Sequence, residues 1–154
     1  MRDLLENEVT FTLTAEQCDL PVRGNAMASG DDEQDAMVEN AILYRLECGD
    51  VWAWAQVTVT ATWIDAGGTT HTGVDYLGGC CYKDEADFRT PGGYFDDMKH
   101  EALRDLNDKL RAAVERGQAL ERELSGGDAR ERPACDCERP ACARCFPPEV
   151  RTQS

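Results

Sequence analysis

Positive charge is scarce in this chain. Its 154 residues carry 16 Lys+Arg against 30 Asp+Glu, a formal net charge of −14. Binding nucleic acid through its phosphates requires clustered Lys and Arg that release counterions, and docking on anionic lipid makes a similar demand. Both are excluded as direct modes of action. Histidine is scarcer still, with two residues, His71 and His100. Long apolar runs are missing: the most apolar stretch, Val51 to Ile64, is interrupted by Gln56, Thr58, Thr60 and Thr62. It falls short of the ~18 apolar residues that cross a bilayer. The N-terminus places Asp3, Glu6 and Glu8 where a signal peptide would need apolar residues, so none is expected. The sequence contains no Gly-rich phosphate loop with Lys, no paired-His zinc helix and no nucleophile elbow. Enzymatic activity is not expected.

With 42% hydrophobic residues the chain can bury a core, so its acidity marks a folded protein rather than a disordered one. The length suits one domain with an appendage. Charge divides the chain at the linker-like Ser125-Gly126-Gly127-Asp128. Residues 1–125 hold 25 acids and 11 bases, whereas residues 126–154 hold 5 of each. The reading is an acidic α+β domain over 1–125 and a Cys/Pro-rich flexible tail over 126–154. A reducing cytosol is the expected compartment, where cysteines are free thiols or metal ligands.

Within the domain, Val9 to Thr14 alternates apolar residues with threonine, the period of a half-buried strand. Ser29 reads as the N-cap of a helix over about 31–48, whose first turn is acidic and whose stop is Gly49. From Val51 to Ile64 every odd position is apolar, which predicts one long strand with a small face for helices and a threonine row for solvent. Asp65 to Thr69 turns the chain, and Gly73 to Tyr82 returns as a hairpin partner. A helical turn over Asp84 to Arg89 is followed by a long helix from Tyr94 to about Leu124. It carries Phe95, Met98, Ala102, Leu106 and Leu110 on one side. The predicted fold is α+β: a three-stranded, mostly antiparallel sheet in the order β-α-β-β-α, covered by helices on one face.

The sharpest chemical pattern lies in the tail, where Arg-Pro-Ala-Cys repeats to give Cys135, Cys137, Cys142 and Cys145. Thiolates so spaced can close a tetrahedral zinc site, forming a small zinc knuckle that orders a segment with little core of its own. The alternative is a plain tail produced by a short duplication. Acidic clusters form the second pattern: Asp31, Asp32, Glu33 and Asp35; Asp84, Glu85 and Asp87; Asp96 and Asp97. Each sits where a helix should begin, so capping accounts for them one by one. Capping does not account for a domain-wide excess of 14 acids, which repels phosphate and attracts basic grooves, including nucleic-acid channels of other proteins. Mimicry of nucleic acid is the functional reading of that surface.

Asp96, Asp97, His100, Glu101, Arg104 and Asp105 crowd the long helix and read as a solvated charged face. His71 has no evident partner. Trp52 and Trp54 are placed on the outer strand face, either as a hot-spot pair for a partner or covered by the 20–29 loop or first strand. Cys18, Cys48, Cys80 and Cys81 read as small buried or neutral thiols. Leu103, Leu106, Leu110, Ala113, Gly117, Leu120 and Leu124 follow a 3-4-3-4 rhythm, broken by the small residues, so a monomer or weak homodimer is expected.

Four strings carry a resemblance: Val22-Arg23-Gly24-Asn25-Ala26-Met27-Ala28-Ser29-Gly30-Asp31-Asp32, Gly49-Asp50-Val51-Trp52-Ala53-Trp54-Ala55, Tyr76-Leu77-Gly78-Gly79-Cys80 and Gly92-Gly93-Tyr94-Phe95-Asp96-Asp97-Met98. Together, across residues 9 to 110, the chain resembles a group of small acidic bacteriophage and prophage proteins of no assigned function. The resemblance implies a host bacterial cytoplasm and a context in which small acidic proteins inhibit host defence, as anti-CRISPR or anti-restriction proteins do. On that reading the partner is a basic surface of a host protein or nucleoprotein complex. The alternative is a zinc-binding adaptor or regulatory protein acting through its tail.

Overall fold

In the computed structural model of the protein, residues 1–126 are described. The chain forms β1 (Thr10–Gln17), α1 (Asp32–Glu47), β2 (Ala55–Ile64), β3 (Thr70–Cys80), α2 (Glu85–Phe88) and α3 (Tyr94–Gly126). The strands make one antiparallel sheet in the order β1-β2-β3, so the α+β reading and its element order hold. Met1–Glu115 is one compact unit, and a second begins at Arg116 within α3. No described helix is long and apolar enough to cross a membrane.

Alternation along β2 decides the layers. Ala55, Val57, Val59 and Ala61 are fully buried, while Thr58, Thr60 and Thr62 on the other face are half-exposed. Burying the odd row requires an apolar helix, and α3 supplies Met98, Ala102, Leu106 and Leu110 at spacings of four. The approach is closest at Gly73, opposite Ala61 on β3. A Cβ there would lie 2.2 Å from Ala102 O and 2.3 Å from Leu106 N, so only glycine admits the helix backbone. Asp105 reaches from α3 to accept a hydrogen bond from Val74 N–H at 2.9 Å, and it pairs with Lys109. Burial opposes ionisation of Asp105, but the Lys109 and Val74 donors outweigh it and hold the carboxyl below its usual range. Asn107 fastens the N-terminal segment to α3. Its side chain accepts from Leu4 N–H at 2.8 Å and donates to Leu4 O at 3.2 Å.

Several boundaries differ from the sequence reading: β1 runs on to Gln17, β3 spans Thr70–Cys80 rather than 73–82, and two further differences have a local cause. The long strand does not begin at Val51: Val51–Ala53 is a 3-10 turn, because the Asp50 side chain accepts from Trp52 N–H at 3.1 Å and pulls the chain tight. The cap of α1 is Asp31 rather than Ser29. Asp31 accepts from Glu33 and Gln34 N–H, both at 3.1 Å, while the Ser29 hydroxyl donates to Asp35 at 2.6 Å. α1 then packs against the Val51–Ala53 turn and builds a second small core of Cys18, Val22, Ile42, Ala53 and Trp54. Buried Glu39 ties the preceding loop to α1 by accepting from Gly24 N–H at 2.6 Å.

Candidate partner-binding surface

Most acids of the three clusters are held by the fold. Asp31 caps α1, and Asp35 accepts from both the backbone and the hydroxyl of Ser29. Asp84 caps α2 by accepting from Asp87 N–H at 2.9 Å, Asp87 accepts from Lys83 N–H, and Glu85 pairs with Arg89 at 2.7 Å. Asp96 accepts from Gly92 N–H at 2.9 Å and pairs with Lys99 at 3.0 Å. The Gly92 donor first, and Lys99 with it, holds the Asp96 carboxyl below its usual range. Asp32, Glu33 and Asp97 are exposed, and their carboxylates have no hydrogen-bond or ion-pair partner among the described residues. The α2 and α3 clusters share a neighbourhood, because the Arg89 guanidinium lies 4.5 Å over the Phe95 ring and Lys99 5.3 Å from it.

The bases are spent on this acid. Met1–Glu115 carries 23 acids and 9 bases. Eight of those bases form ion pairs with carboxylates: Arg2, Arg23, Arg45, Arg89, Lys99, Arg104, Lys109 and Arg111. Only Lys83 has no ion-pair partner among the described residues. Exposed pairs add little stability, but they leave almost no positive charge free to offset the surplus acids. The whole −14 therefore acts outward from this unit.

The tryptophan pair does not exist as a surface feature. Trp54 is 4% exposed, and its indole N–H donates to Leu20 O at 2.7 Å, so the loop after β1 covers it. Trp52 is half-buried in the main core, 5.5 Å from the Phe88 ring, which also meets Tyr82 edge-on at 5.0 Å. The 3-10 turn rotates the two indoles into different cores, which strand alternation could not show. Neither is an exposed anchor. The leucine seam divides similarly: Leu106 and Leu110 are core residues, while Leu120 and Leu124 are 56% and 74% exposed.

The sequence reading missed a partner for His71. Its Nε2 lies 3.0 Å from Asp65 Oδ2, and its ring stands 5.4 Å from that of Trp63, its neighbour in register across the hairpin. The His71 hydrogen bond, with Thr69 and Gly67 N–H, holds Asp65 below the usual carboxylate range despite some burial. The pair opens on a cleft of about 490 Å³ walled by Leu4, Trp63, Leu110 and Val114. Among the described residues, no hydroxyl or thiol side chain lines this cleft. The usable signal was hairpin register, which sets residues 63 and 71 opposite one another around the Asp65 turn.

Among the described residues no group of three or more His, Cys, Asp or Glu is arranged to hold a metal. Cys135, Cys137, Cys142 and Cys145 lie outside the described residues. Of the other cysteines, Cys18 and Cys80 are buried while Cys48 and Cys81 are exposed. Burial, with Cys18 close by, pushes the Cys80 thiol up to about 11. Iodoacetamide at pH 8 should therefore label Cys48 and Cys81 well before Cys80, as read by peptide mass spectrometry. Equal rates at all three would contradict the packing. No protein-family model matches the chain, nor does any curated protein or solved structure.

Proposed function

We propose that the protein is a non-enzymatic binding module whose acidic surface occupies a basic, phosphate-binding groove on a host nucleic-acid-handling complex. The observation that carries this reading is the pairing pattern: eight of nine bases in Met1–Glu115 are neutralised internally, and the surplus carboxylates face outward. A groove built to hold phosphates attracts and steers such a surface by the same complementarity of charge. Asp32, Glu33 and Asp97 are the carboxylates best placed to contribute, because capping does not already occupy them. The resemblance to phage proteins makes an anti-CRISPR or anti-restriction role the specific form of the proposal, exercised in a host bacterial cytoplasm. The test is competition with duplex DNA for purified CRISPR effector and restriction complexes. Displacement is expected at low salt, and direct binding of the protein to the complex should weaken as salt rises.

A further inference from the structure

The two edges of the sheet are finished differently. Along β3, the backbone groups pointing away from β2 include those of Thr72 and Val74, and α3 answers both. Asp105 accepts from Val74 N–H at 2.9 Å, and Lys109 Nζ donates to Thr72 O at 3.5 Å. Along β1, the bond from Cys18 N–H to Trp54 O at 3.0 Å continues the strand register and fixes its parity. Even-numbered residues bond to β2, so the N–H and C=O groups of Phe11, Leu13 and Ala15 point outward. None of these groups has a hydrogen-bond partner among the described residues. Within β1 itself the edge carries no blunting feature: the strand holds no proline, no lysine and no bulge. The side chains of the same three residues share the core face of the sheet but stay half-buried, whereas Val57, Val59 and Ala61 beside them are fully buried.

We propose that the β1 edge is a self-association surface, on which a second copy of this chain adds its own β1 antiparallel to form one six-stranded sheet. The strand is complementary to itself. A two-fold axis at Leu13 sets it against the partner's Leu13, and sets Phe11 against the partner's Ala15, so one continuous apolar row closes over the half-buried side chains. The only charged residue of β1 is Glu16, which falls opposite the partner's Thr10. The two Glu16 side chains then lie roughly 20 Å apart, beyond the ~8 Å screening length at physiological salt. Repulsion between two chains of −14 each opposes the contact at long range only. Dimerisation should consequently tighten as salt rises, the opposite trend to docking of the acidic face on a basic groove.

Sedimentation of the full chain under reductant tests this. The expected result is a concentration-dependent rise from 17.1 kDa to twice that mass, favoured by added salt. Leu13→Pro removes an outward donor and leaves the ladder to β2 intact, so it should weaken the dimer by about tenfold or more while the circular dichroism stays unchanged. A chain that stays monomeric at every concentration and salt overturns the proposal, and so does a dimer that Leu13→Pro leaves untouched. If that variant fails to fold, amide exchange of the unaltered protein decides. Protection of Phe11, Leu13 and Ala15 that grows with concentration supports the edge, and protection independent of concentration overturns it.

Discussion

Replacing Gly73 with alanine should cost about 3 kcal/mol or more, a large share of the ~5–15 kcal/mol that holds a domain together. The added methyl would stand 2.2 Å from Ala102 O and 2.3 Å from Leu106 N, which are backbone atoms of α3 rather than flexible side-chain ends. Relief requires lifting α3 from the sheet. That movement opens the contact between Leu106, fully buried, and the Val57 and Val59 row beneath it, and it breaks the Asp105 bond to Val74 N–H. A urea midpoint well below that of the unaltered protein, at similar slope, is the expected signature. Gly117→Ala is the control: no atom lies within 4 Å of its Cβ position, so a helix-interior alanine should be neutral or stabilise by up to ~1 kcal/mol. A Gly73→Ala midpoint within error of the unaltered protein would contradict the close approach of α3.

The second large effect belongs to Trp54. Truncation to alanine empties the centre of the smaller core and should cost about 3–5 kcal/mol. Trp54→Phe keeps much of the packing but strands the Leu20 carbonyl, which now receives the indole N–H at 2.7 Å, for a loss of about 1–2 kcal/mol. The ring also lies over Gly79, where an added Cβ would stand 3.2 Å from it, so the end of β3 loosens with it. The loss should appear as lowered thermal stability, with any loss of partner binding following from unfolding. A Trp54→Ala chain that keeps its stability and loses only binding would restore the surface hot-spot reading.

These residues also mark how far the sequence could be read. Helix starts were legible because acids gather there for a local electrostatic reason, and the alternation of β2 was legible because burial on one face enforces it. The error at Val51–Ala53 has a local cause: apolar alternation runs through it unbroken, but the Asp50 side chain captures Trp52 N–H and tightens the chain. Asp31 and Ser29 are both good caps, and only the three-dimensional path of the loop chose between them. Asp65 with His71 depended on hairpin register, and the closeness of Gly73 to α3 depended on how a helix distant in sequence crosses the sheet. At the candidate surface, the excess acid was visible in composition. Which carboxylates cap helices, and which bases are already paired, required the fold.

The most direct measurement of the acidic-surface account is DNA displacement by a neutralised variant. Asp32→Asn, Glu33→Gln and Asp97→Asn together remove three exposed first-turn charges whose side chains have no hydrogen-bond or ion-pair partner among the described residues, so the variant should stay folded, its melting temperature lowered only by the lost helix-dipole interactions of about 0.3–1 kcal/mol each. In electrophoretic competition for purified CRISPR effector and restriction complexes, the unaltered chain is expected to displace duplex DNA at about 0.05 M salt, and its direct binding to the same complexes should weaken by about 0.2 M. The variant should need several-fold more protein for equal displacement. Failure to displace DNA from any of these complexes at the lower salt, or direct binding that neither salt nor neutralisation weakens, would contradict the account.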